Sequence, residues 1–318
     1  MKTLTPAALL RILLLIAVPL FFTFNNRYFL TSGNLFALMQ SFALVGLVAV
    51  GLALTMIVGE FDLSIAPVVS VGGLILAKMG GDSAIIGVCY ACAFGLAIGM
   101  VNALLVVKLK VSSLVSTLGM MILLSGFAFW IADGNVVPYY NFDASDMLNA
   151  PILTILSPRI LITIAIFFAI YLVLSFTRTG RDIFATGSHR QSAMMSGANT
   201  TLAIFFAFGC SGLFSALAGA LMSVSLATGS PTLGDSLLIQ AASAAILGGV
   251  ALTGGVGKAQ GIATGVFILA ALNNGLSLSG VSSAVSQLVN GAVLGIVVLI
   301  NGDFGHAMRH FLRRTRPQ

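Results

Sequence analysis

The few side chains in this sequence that could do chemistry include two carboxylates in Gly59-Glu60-Phe61-Asp62-Leu63-Ser64. Glu60 is the only glutamate of the chain, and both carboxylates fall between two apolar stretches with almost no loop. Ionisable groups at membrane depth are costly to desolvate, so they usually mark a functional site or have a partner. On this interpretation, Glu60, Asp62 and Ser64 belong to a functional site. The alternative is that Asp62 caps free amides at the start of the next helix.

Motifs for catalysis, phosphate binding or metal binding are missing from the sequence. Gly257-Lys258 is the only Gly-Lys pair, and it lacks the glycine and the Ser or Thr that complete a phosphate-binding loop. Cys89 and Cys92 have C-x-x-C spacing but lie in an apolar run, where they are typical of small packing residues. We therefore expect neither an enzyme nor a resident metal.

The composition is that of a membrane protein. Hydrophobic residues make up 58% of the 318 residues, charged residues only 8%, and the mean hydropathy is +1.07. A soluble domain carries roughly 25% charged residues. The net charge of +6 does not indicate nucleic acid, because the basic residues sit in loops and at the ends. The prediction is an all-α, polytopic integral membrane protein that interacts with lipid.

Stretches of about 20 apolar residues, the length of a membrane-spanning helix, predict ten spans within one transmembrane domain, residues 1–318. The spans are Ala8–Phe24, Leu35–Val58, Leu63–Lys78, Ala84–Val107, Ser113–Ala132, Ile160–Phe176, Leu202–Leu226, Leu237–Leu252, Ile262–Leu278 and Ala284–Ile300. The third and eighth are short and interrupted by Gly or Pro, so we expect broken or tilted helices there.

The distribution of positive charge predicts the orientation. With both termini in the cytoplasm, the inside holds 12 of the 15 basic residues: Lys2, Arg11, Lys108, Lys110, Arg178, Arg181, Arg190, Lys258, Arg309, Arg313, Arg314 and Arg316. Cytoplasmic loops carry such an excess of Lys and Arg. The stretch 177–200 and the basic tail 302–318 are then cytoplasmic, the loop 133–158 is external, and Gly59–Ser64 lies near the cytoplasmic face.

The ten spans also predict an internal repeat. Spans two to five begin outside and spans seven to ten begin inside, so two structural copies would be inverted repeats, a common transporter architecture. Glycines spaced four residues apart predict close helix packing, either within the chain or between subunits. These glycines are Gly95, Gly99, Gly257, Gly261, Gly265, Gly291 and Gly295.

Two polar regions face water in this arrangement. Thr177–Thr200 carries Arg178, Arg181, His189 and Arg190 between two apolar spans, and it must project from the membrane. We expect a cytosolic partner to dock there. The external loop 133–158 places aromatic residues beside acids, which is typical either of a contact with a periplasmic partner or sugar or of an interfacial aromatic belt.

Three stretches make the chain resemble the permease subunits of bacterial ABC importers for ribose and other monosaccharides. Gly59–Ser64 is similar to that family's G-x-D-L-S segment, although Glu60-Phe61 replaces the more usual Gly-Ile. Gly180–Asn199 is similar to its cytoplasmic coupling segment, although His189-Arg190-Gln191 stands where an Asn-led polar run is common. Ala245–Ser283 is similar to its Gly-rich region, which ends in L-N-N-G-L and G-V-S-S. Pro67 is a third departure, where glycine or serine is usual.

The resemblance implies a permease in the bacterial inner membrane that a separate ATPase drives and a periplasmic binding protein supplies. Two permease chains, identical or paralogous, would form the path, and ATP with Mg²⁺ would bind to the ATPase rather than to this chain. The implied coupling residues are Gly180, Arg181, Asp182, Ala185, Gly187, His189, Arg190, Ala193, Ser196 and Gly197. Arg181 and Arg190 would pair with the ATPase, or else serve only as topology signals. Asn273 and Asn274 join Glu60, Asp62 and Ser64 as pathway or gate candidates.

Other functions remain open at this point. The substrate could be a pentose, a hexose, a furanose sugar or a sugar-derived signal. A branched-chain amino acid permease is a more distant alternative, and so is a secondary transporter that works alone. The last would need ion-coupling groups in the membrane, and only Glu60 and Asp62 are near that depth.

Overall fold

The computed structural model describes residues 6–301, whereas residues 1–5 and the predicted basic tail 302–318 lie outside the described residues. The described chain is almost entirely helical, as predicted. Its helices are α1 (Pro6–Asn25), α2 (Ser32–Ile57), α3 (Ile65–Met79), α4 (Ala84–Val107), α5 (Ser113–Ile131), α6 (Phe142–Asn149), α7 (Pro158–Phe176), α8 (Arg178–Ser188), α9 (Arg190–Met195), α10 (Thr200–Leu226), α11 (Leu237–Leu247), α12 (Ala259–Leu278) and α13 (Ser283–Asn301). Two short strands, β1 (Val137–Pro138) and β2 (Thr228–Gly229), pair antiparallel.

Each predicted span overlaps one of these helices. Seven of them, α1, α2, α4, α5, α7, α10 and α12, are long and apolar enough to cross a membrane. α3 and α11 are shorter, as predicted, and so is the described apolar part of α13, Ser283–Val297. The prediction that the eighth span runs to Leu252 is wrong, because α11 ends at Leu247. Gly249 follows with a φ of 89°, a conformation that glycine adopts without steric cost and that turns the chain out of the helix.

α3 and α11 are too short to span the bilayer. At 1.5 Å per residue they extend about 22 Å and about 16 Å, less than the ~30 Å hydrocarbon thickness. Non-helical chain therefore adjoins each of them, at 58–64 before α3 and at 248–258 after α11. Such backbone is tolerated at membrane depth where protein surrounds it. Pro67 does not break α3, because it occupies the first turn, where the missing amide has no helical partner.

α2 and α10 are the central helices, and most of their residues are buried. α10 packs against α3 and α4, whereas α2 packs against α11 and α12. Within each quartet the contacts also correspond, since α3 touches α4 and α5 and α11 touches α12 and α13. α2 and α10 run in opposite directions, because Arg159 bonds to Gln40 near the start of α2 and to Ser225 near the end of α10. This packing agrees with the predicted inverted repeat.

A short sequence repeat accompanies the structural one. The stretch 111–116 reads V-S-S-L-V-S and leads into α5, and 281–286 reads V-S-S-A-V-S and leads into α13. This match relates helices at equivalent places in the two quartets. It is a signal for the repeat that hydropathy alone does not reveal.

Four of the seven predicted packing glycines make close contacts within the chain. Gly95 and Gly99 on α4 lie so close to the backbone of α10 that a Cβ on either would collide with it. Gly261 and Gly265 on α12 lie equally close to the end of α11 and to Gly248. Small residues let these backbones approach, as predicted.

The other three glycines behave differently. Gly257 precedes α12, so it does not share a helix face with Gly261 and Gly265. The predicted close packing along one helix is therefore wrong for Gly257. Gly257 packs against the Ile57 side chain. A methyl group added at Gly291 or Gly295 on α13 would meet no neighbouring atom of the described chain within 4 Å. For this pair, packing inside the subunit does not explain the spacing.

The two external regions of the chain lie together. β1, in the loop 133–158, pairs with β2, which follows α10. The Tyr139 hydroxyl donates to the Gly80 carbonyl, and its ring is buried, whereas Tyr140 is exposed. Ser145 on α6 donates to the Val224 carbonyl on α10. These contacts place the start of α6, the end of α3 and the end of α10 on one side, as the predicted topology requires.

Candidate functional site

Hydroxyl groups on α5 hold the loop between α2 and α3. The Phe61 amide donates to Ser113 Oγ over 3.3 Å, and the Leu63 amide donates to Thr117 Oγ1 over 3.1 Å. The Glu60 amide donates to the Thr55 carbonyl over 2.9 Å. Buried backbone amides need such partners. The loop therefore has a defined conformation that depends on the first two turns of α5.

Asp62 is at the centre of a buried polar cluster. Its side chain accepts hydrogen bonds from the Ser64 amide over 3.0 Å, from Ser64 Oγ over 2.6 Å and from Ser211 Oγ over 2.8 Å. Asn102 Nδ2 on α4 donates to Ser64 Oγ over 2.9 Å. The cluster joins the start of α3 to α4 and α10. Asp62 thus bonds the backbone amide of Ser64, the residue just before α3, and not an amide inside the helix.

Asp62 is buried inside the helix bundle. The residue is only 1% exposed, and its partner Ser211 lies near the middle of α10. The loop 58–64 thus enters the bundle before α3 starts. The prediction that Gly59–Ser64 lies near the cytoplasmic face stays a prediction.

The polar stretch 177–200 forms two short helices, α8 and α9. Thr177 caps α8 by accepting the Gly180 amide, and His189 caps α9 by accepting the Ser192 amide at Nδ1. Asn199 caps α10 by accepting the Leu202 amide. Ser, Thr and Asn are preferred at such positions because their side chains satisfy free amides. Each helix of this coupling segment thus begins at a capping residue.

Only some of the predicted coupling residues are available to a docking partner. The exposed ones are Arg181, His189, Ser196 and Gly197. The partly buried ones are Ala185, Gly187 and Arg190. The buried ones are Gly180, Asp182 and Ala193. This last group lies on the inner sides of α8 and α9, toward the rest of the chain.

Gly187, near the end of α8, touches both quartets of helices. A Cβ there would collide with the Ile57 carbonyl at the end of α2 and with the Gly255 amide. That amide donates to the same Ile57 carbonyl over 2.8 Å. Gly59 and Gly254 pack at the same junction. The end of α8 is therefore fitted against the two loops that adjoin the short helices α3 and α11.

Glu60 and Arg190 form an ion pair across this interface. Arg190 Nη1 lies 3.4 Å from Glu60 Oε1, and the side chains are 41% and 15% exposed, respectively. The pair lies at a pocket of about 650 Å³, which Lys110 also lines. The sequence predicts a functional role for Glu60 and a contact of Arg190 with a partner protein, the ATPase. The structure brings the two residues together.

Asn273 and Asn274 lie in a different place from Glu60, Asp62 and Ser64. Asn274 Nδ2 and Asn34 Oδ1 on α2 are 2.9 Å apart, with a reciprocal bond of the same length. Asn273 Oδ1 accepts from Asn290 Nδ2 on α13 over 2.9 Å. Both residues join α12 to neighbouring helices. The five pathway or gate candidates thus form two separate groups with no shared hydrogen-bond partner.

Sequence reasoning missed several residues that build the site. Ser113 lies in the repeated V-S-S motif, so the internal repeat could have identified it. Ser211 and Thr117 lie on apolar helices without a distinguishing pattern. Only the fold reveals their contacts with the loop 58–64.

Comparison with known proteins identifies the family. The profile of the family described as "Branched-chain amino acid transport system / permease component" matches residues 34–298, which include both quartets and the coupling segment. The chain belongs to this permease family. The loop 58–64, α8 and α9 are thus parts of a transport protein's membrane subunit.

The permease is also similar to curated proteins along most of its length. It is 32% identical over 297 residues to the ribose import permease protein RbsC of Escherichia coli (strain K12), covering 91% of this chain and 92% of that protein. RbsC of Bacillus subtilis (strain 168) is 32% identical, with 87% of each chain covered. The L-arabinose ABC transporter permease protein AraH of Azospirillum brasilense is 30% identical, covering 86% of this chain and 81% of that one. No solved structure matches.

Proposed function

We propose that the chain is the transmembrane subunit of an ABC importer that carries a monosaccharide, or a related small sugar-like solute, into the cytoplasm. The observation that carries the proposal is the similarity, over at least four fifths of both chains, to permeases named for ribose and L-arabinose. The coupling segment and the buried loop beside it are consistent with that role. The coupling segment provides a surface for a partner, and the loop 58–64 connects that surface to the buried helices.

A second candidate is a branched-chain amino acid permease, which the description of the matching family favours. The individual relatives favour a sugar, since those with about 30% identity over most of the chain are named for ribose or arabinose. A secondary transporter that works alone has less support. Within the described residues, Glu60 is paired with Arg190 and Asp62 is held by three hydrogen bonds, so neither offers a free ion-coupling group.

The proposed partners follow from the exposed surfaces. An ATPase subunit, which binds ATP and Mg²⁺, docks on α8 and α9 and contacts Arg181 and His189. A periplasmic binding protein delivers the solute to the side that holds α6, β1 and β2. A second permease chain covers the open glycine face of α13, at Gly291 and Gly295. Lipid covers the remaining apolar surface, and nucleic acid is not a partner.

The proposed location is the bacterial inner membrane, with both termini in the cytoplasm. The seven long apolar helices support a protein that crosses the membrane many times. The excess of Lys and Arg in the loops on one side supports the orientation. Coupling then works by a shift in conformational equilibrium. If the ATPase binds one conformation of the permease more tightly through α8 and α9, its binding increases the population of that conformation.

The test is reconstitution of the permease with its ATPase and binding protein in vesicles. Uptake of labelled ribose, arabinose and leucine is measured with ATP and with a non-hydrolysable analogue. We expect ATP-dependent accumulation of a sugar and none of leucine. Accumulation of leucine alone would favour the second candidate. Accumulation by the permease without an ATPase, driven by an ion gradient, would refute the proposal.

A further inference from the structure

The Glu60–Arg190 ion pair joins two segments that are distant in sequence and have different roles. Arg190 is the first residue of α9, in the coupling segment, and Glu60 lies in the loop 58–64. The two residues are 130 positions apart. The ion pair therefore connects the coupling segment directly to the loop before α3.

The pair is poorly placed to serve as a device for stability. Arg190 is 41% exposed, and the two atoms are 3.4 Å apart with one contact rather than a bidentate arrangement. Glu60 is 15% exposed, but a single contact to a partly solvated guanidinium contributes little to folding. The pair does, however, fix the position of one segment relative to the other, because the guanidinium and the carboxylate lie on opposite sides of the interface.

On the Glu60 side, the connection leads directly to the buried cluster. Glu60 is two residues from Asp62, and the amides of Phe61 and Leu63 are bonded to α5. Asp62 in turn is bonded to Ser211 on α10. The loop has few degrees of freedom, so a displacement of Glu60 reaches the start of α3.

On the Arg190 side, the connection leads to the docking surface. The cap at His189 fixes the start of α9, and Ala193 packs that helix against the permease. Gly187 already fits α8 against Ile57 by steric contact. A steric contact resists approach but not separation. An ion pair resists separation. The Glu60–Arg190 pair can therefore pull the loop 58–64 along when α9 moves away, which the steric contact at Gly187 cannot do.

We propose that Glu60 and Arg190 are positioning residues for energy coupling, and that their ion pair makes the loop 58–64 follow α9 when the ATPase moves the coupling segment. This inference rests on the proposed function. It assigns to Arg190 an internal role in place of a contact with the ATPase, and it leaves Arg181 as the exposed arginine of α8.

The test uses the full importer with Glu60→Gln, Arg190→Gln and the exchanged pair Glu60→Arg with Arg190→Glu. The measured quantity is the amount of solute transported per ATP hydrolysed. We expect each single variant to lower this ratio by about fivefold or more, the lower end of typical coupling between sites. We expect the exchanged pair to recover to within about twofold of the original protein, because opposite charges again face each other.

Lys110→Gln is the matched control. Lys110 lines the same pocket and forms no ion pair within the described residues, so its loss should leave the ratio unchanged. Arg190→Lys keeps the positive charge, so it tests the ion pair even if the glutamine variants misfold. We expect it to keep most of the solute transported per ATP hydrolysed. Membrane insertion and the thermal unfolding midpoint are measured for every variant.

Two results would overturn the inference. One is an unchanged ratio in both single variants, and the other is an exchanged pair that couples no better than the single variants while it inserts and unfolds normally. Failure of the proposed function looks different, because the original protein itself then shows no ATP-dependent uptake.

Discussion

Glu60 Oε1 and Arg190 Nη1 lie 3.4 Å apart, so the only glutamate of the chain is bound to the coupling segment. Arg181, one turn into α8, is exposed and free of any ion pair within the described residues. Two arginines that look equivalent in the sequence are thus directed to opposite sides. Arg190 contacts the rest of the permease, whereas Arg181 is exposed on the outer side of α8. This division leads to separate predictions for the two residues.

Arg181→Glu should weaken the association with the ATPase, because it places a negative charge on the exposed side of α8. We expect less ATPase subunit to co-purify in mild detergent and a loss of stimulated ATP hydrolysis. Arg27→Glu is the control, since Arg27 is an exposed arginine outside the coupling segment. Equal recovery of the ATPase with both variants would contradict the docking surface.

Asp62→Ala should destabilise the permease strongly. The change removes the acceptor for Ser64 and Ser211, and a buried donor without a partner costs about 1–3 kcal/mol. Ser211→Ala removes the hydrogen bond to Asp62 Oδ2 and leaves the two bonds that Ser64 makes to Oδ1, so we expect a smaller loss than for Asp62→Ala, of at least about 1 kcal/mol. Thermal unfolding in detergent measures both. An unchanged midpoint for Asp62→Ala would show that the cluster does not support the fold.

Gly187→Ala should disturb the junction of α8 with the loops 58–64 and 248–258. The new methyl group would collide with the Ile57 carbonyl and the Gly255 amide, and overpacking of this kind typically costs about 1–3 kcal/mol. We expect a lower unfolding midpoint and reduced uptake. Gly33→Ala is the control, because that glycine has open space around it. Equal unfolding midpoints and equal uptake for Gly187→Ala and Gly33→Ala would show that the contact of Gly187 with Ile57 does not contribute to coupling.

Gly291→Leu should leave the single chain folded but weaken its association with a second permease. The glycine has open space around it in the structure, so a larger side chain meets nothing within the described chain. Gly99→Leu should instead prevent normal folding, because Gly99 touches the backbone of α10. Native mass spectrometry reports the number of permease chains per complex. A full complement of two chains with Gly291→Leu would place the subunit interface elsewhere.

The sequence identified the membrane helices well because hydropathy is a local property. About 20 apolar residues must form a helix in lipid, where each backbone group needs a partner within the segment. The same reasoning identified α3 and α11 as unusual and placed 177–200 outside the membrane. It placed the start of α3 at Leu63, two residues before the observed start at Ile65, because the bonds from the loop amides to the α5 hydroxyls are not a local property.

What the sequence determined by itself is the class of molecule, which comprises its helical spans and its family. The tertiary structure decided which side chains meet. Glu60 binds Arg190, Asp62 binds Ser211, and Gly95 is packed while Gly291 is open. The reason is physical, because spans follow from neighbouring residues, whereas these contacts join residues more than a hundred positions apart. Only the packing of α2, α10 and their partners brings such residues within bonding distance.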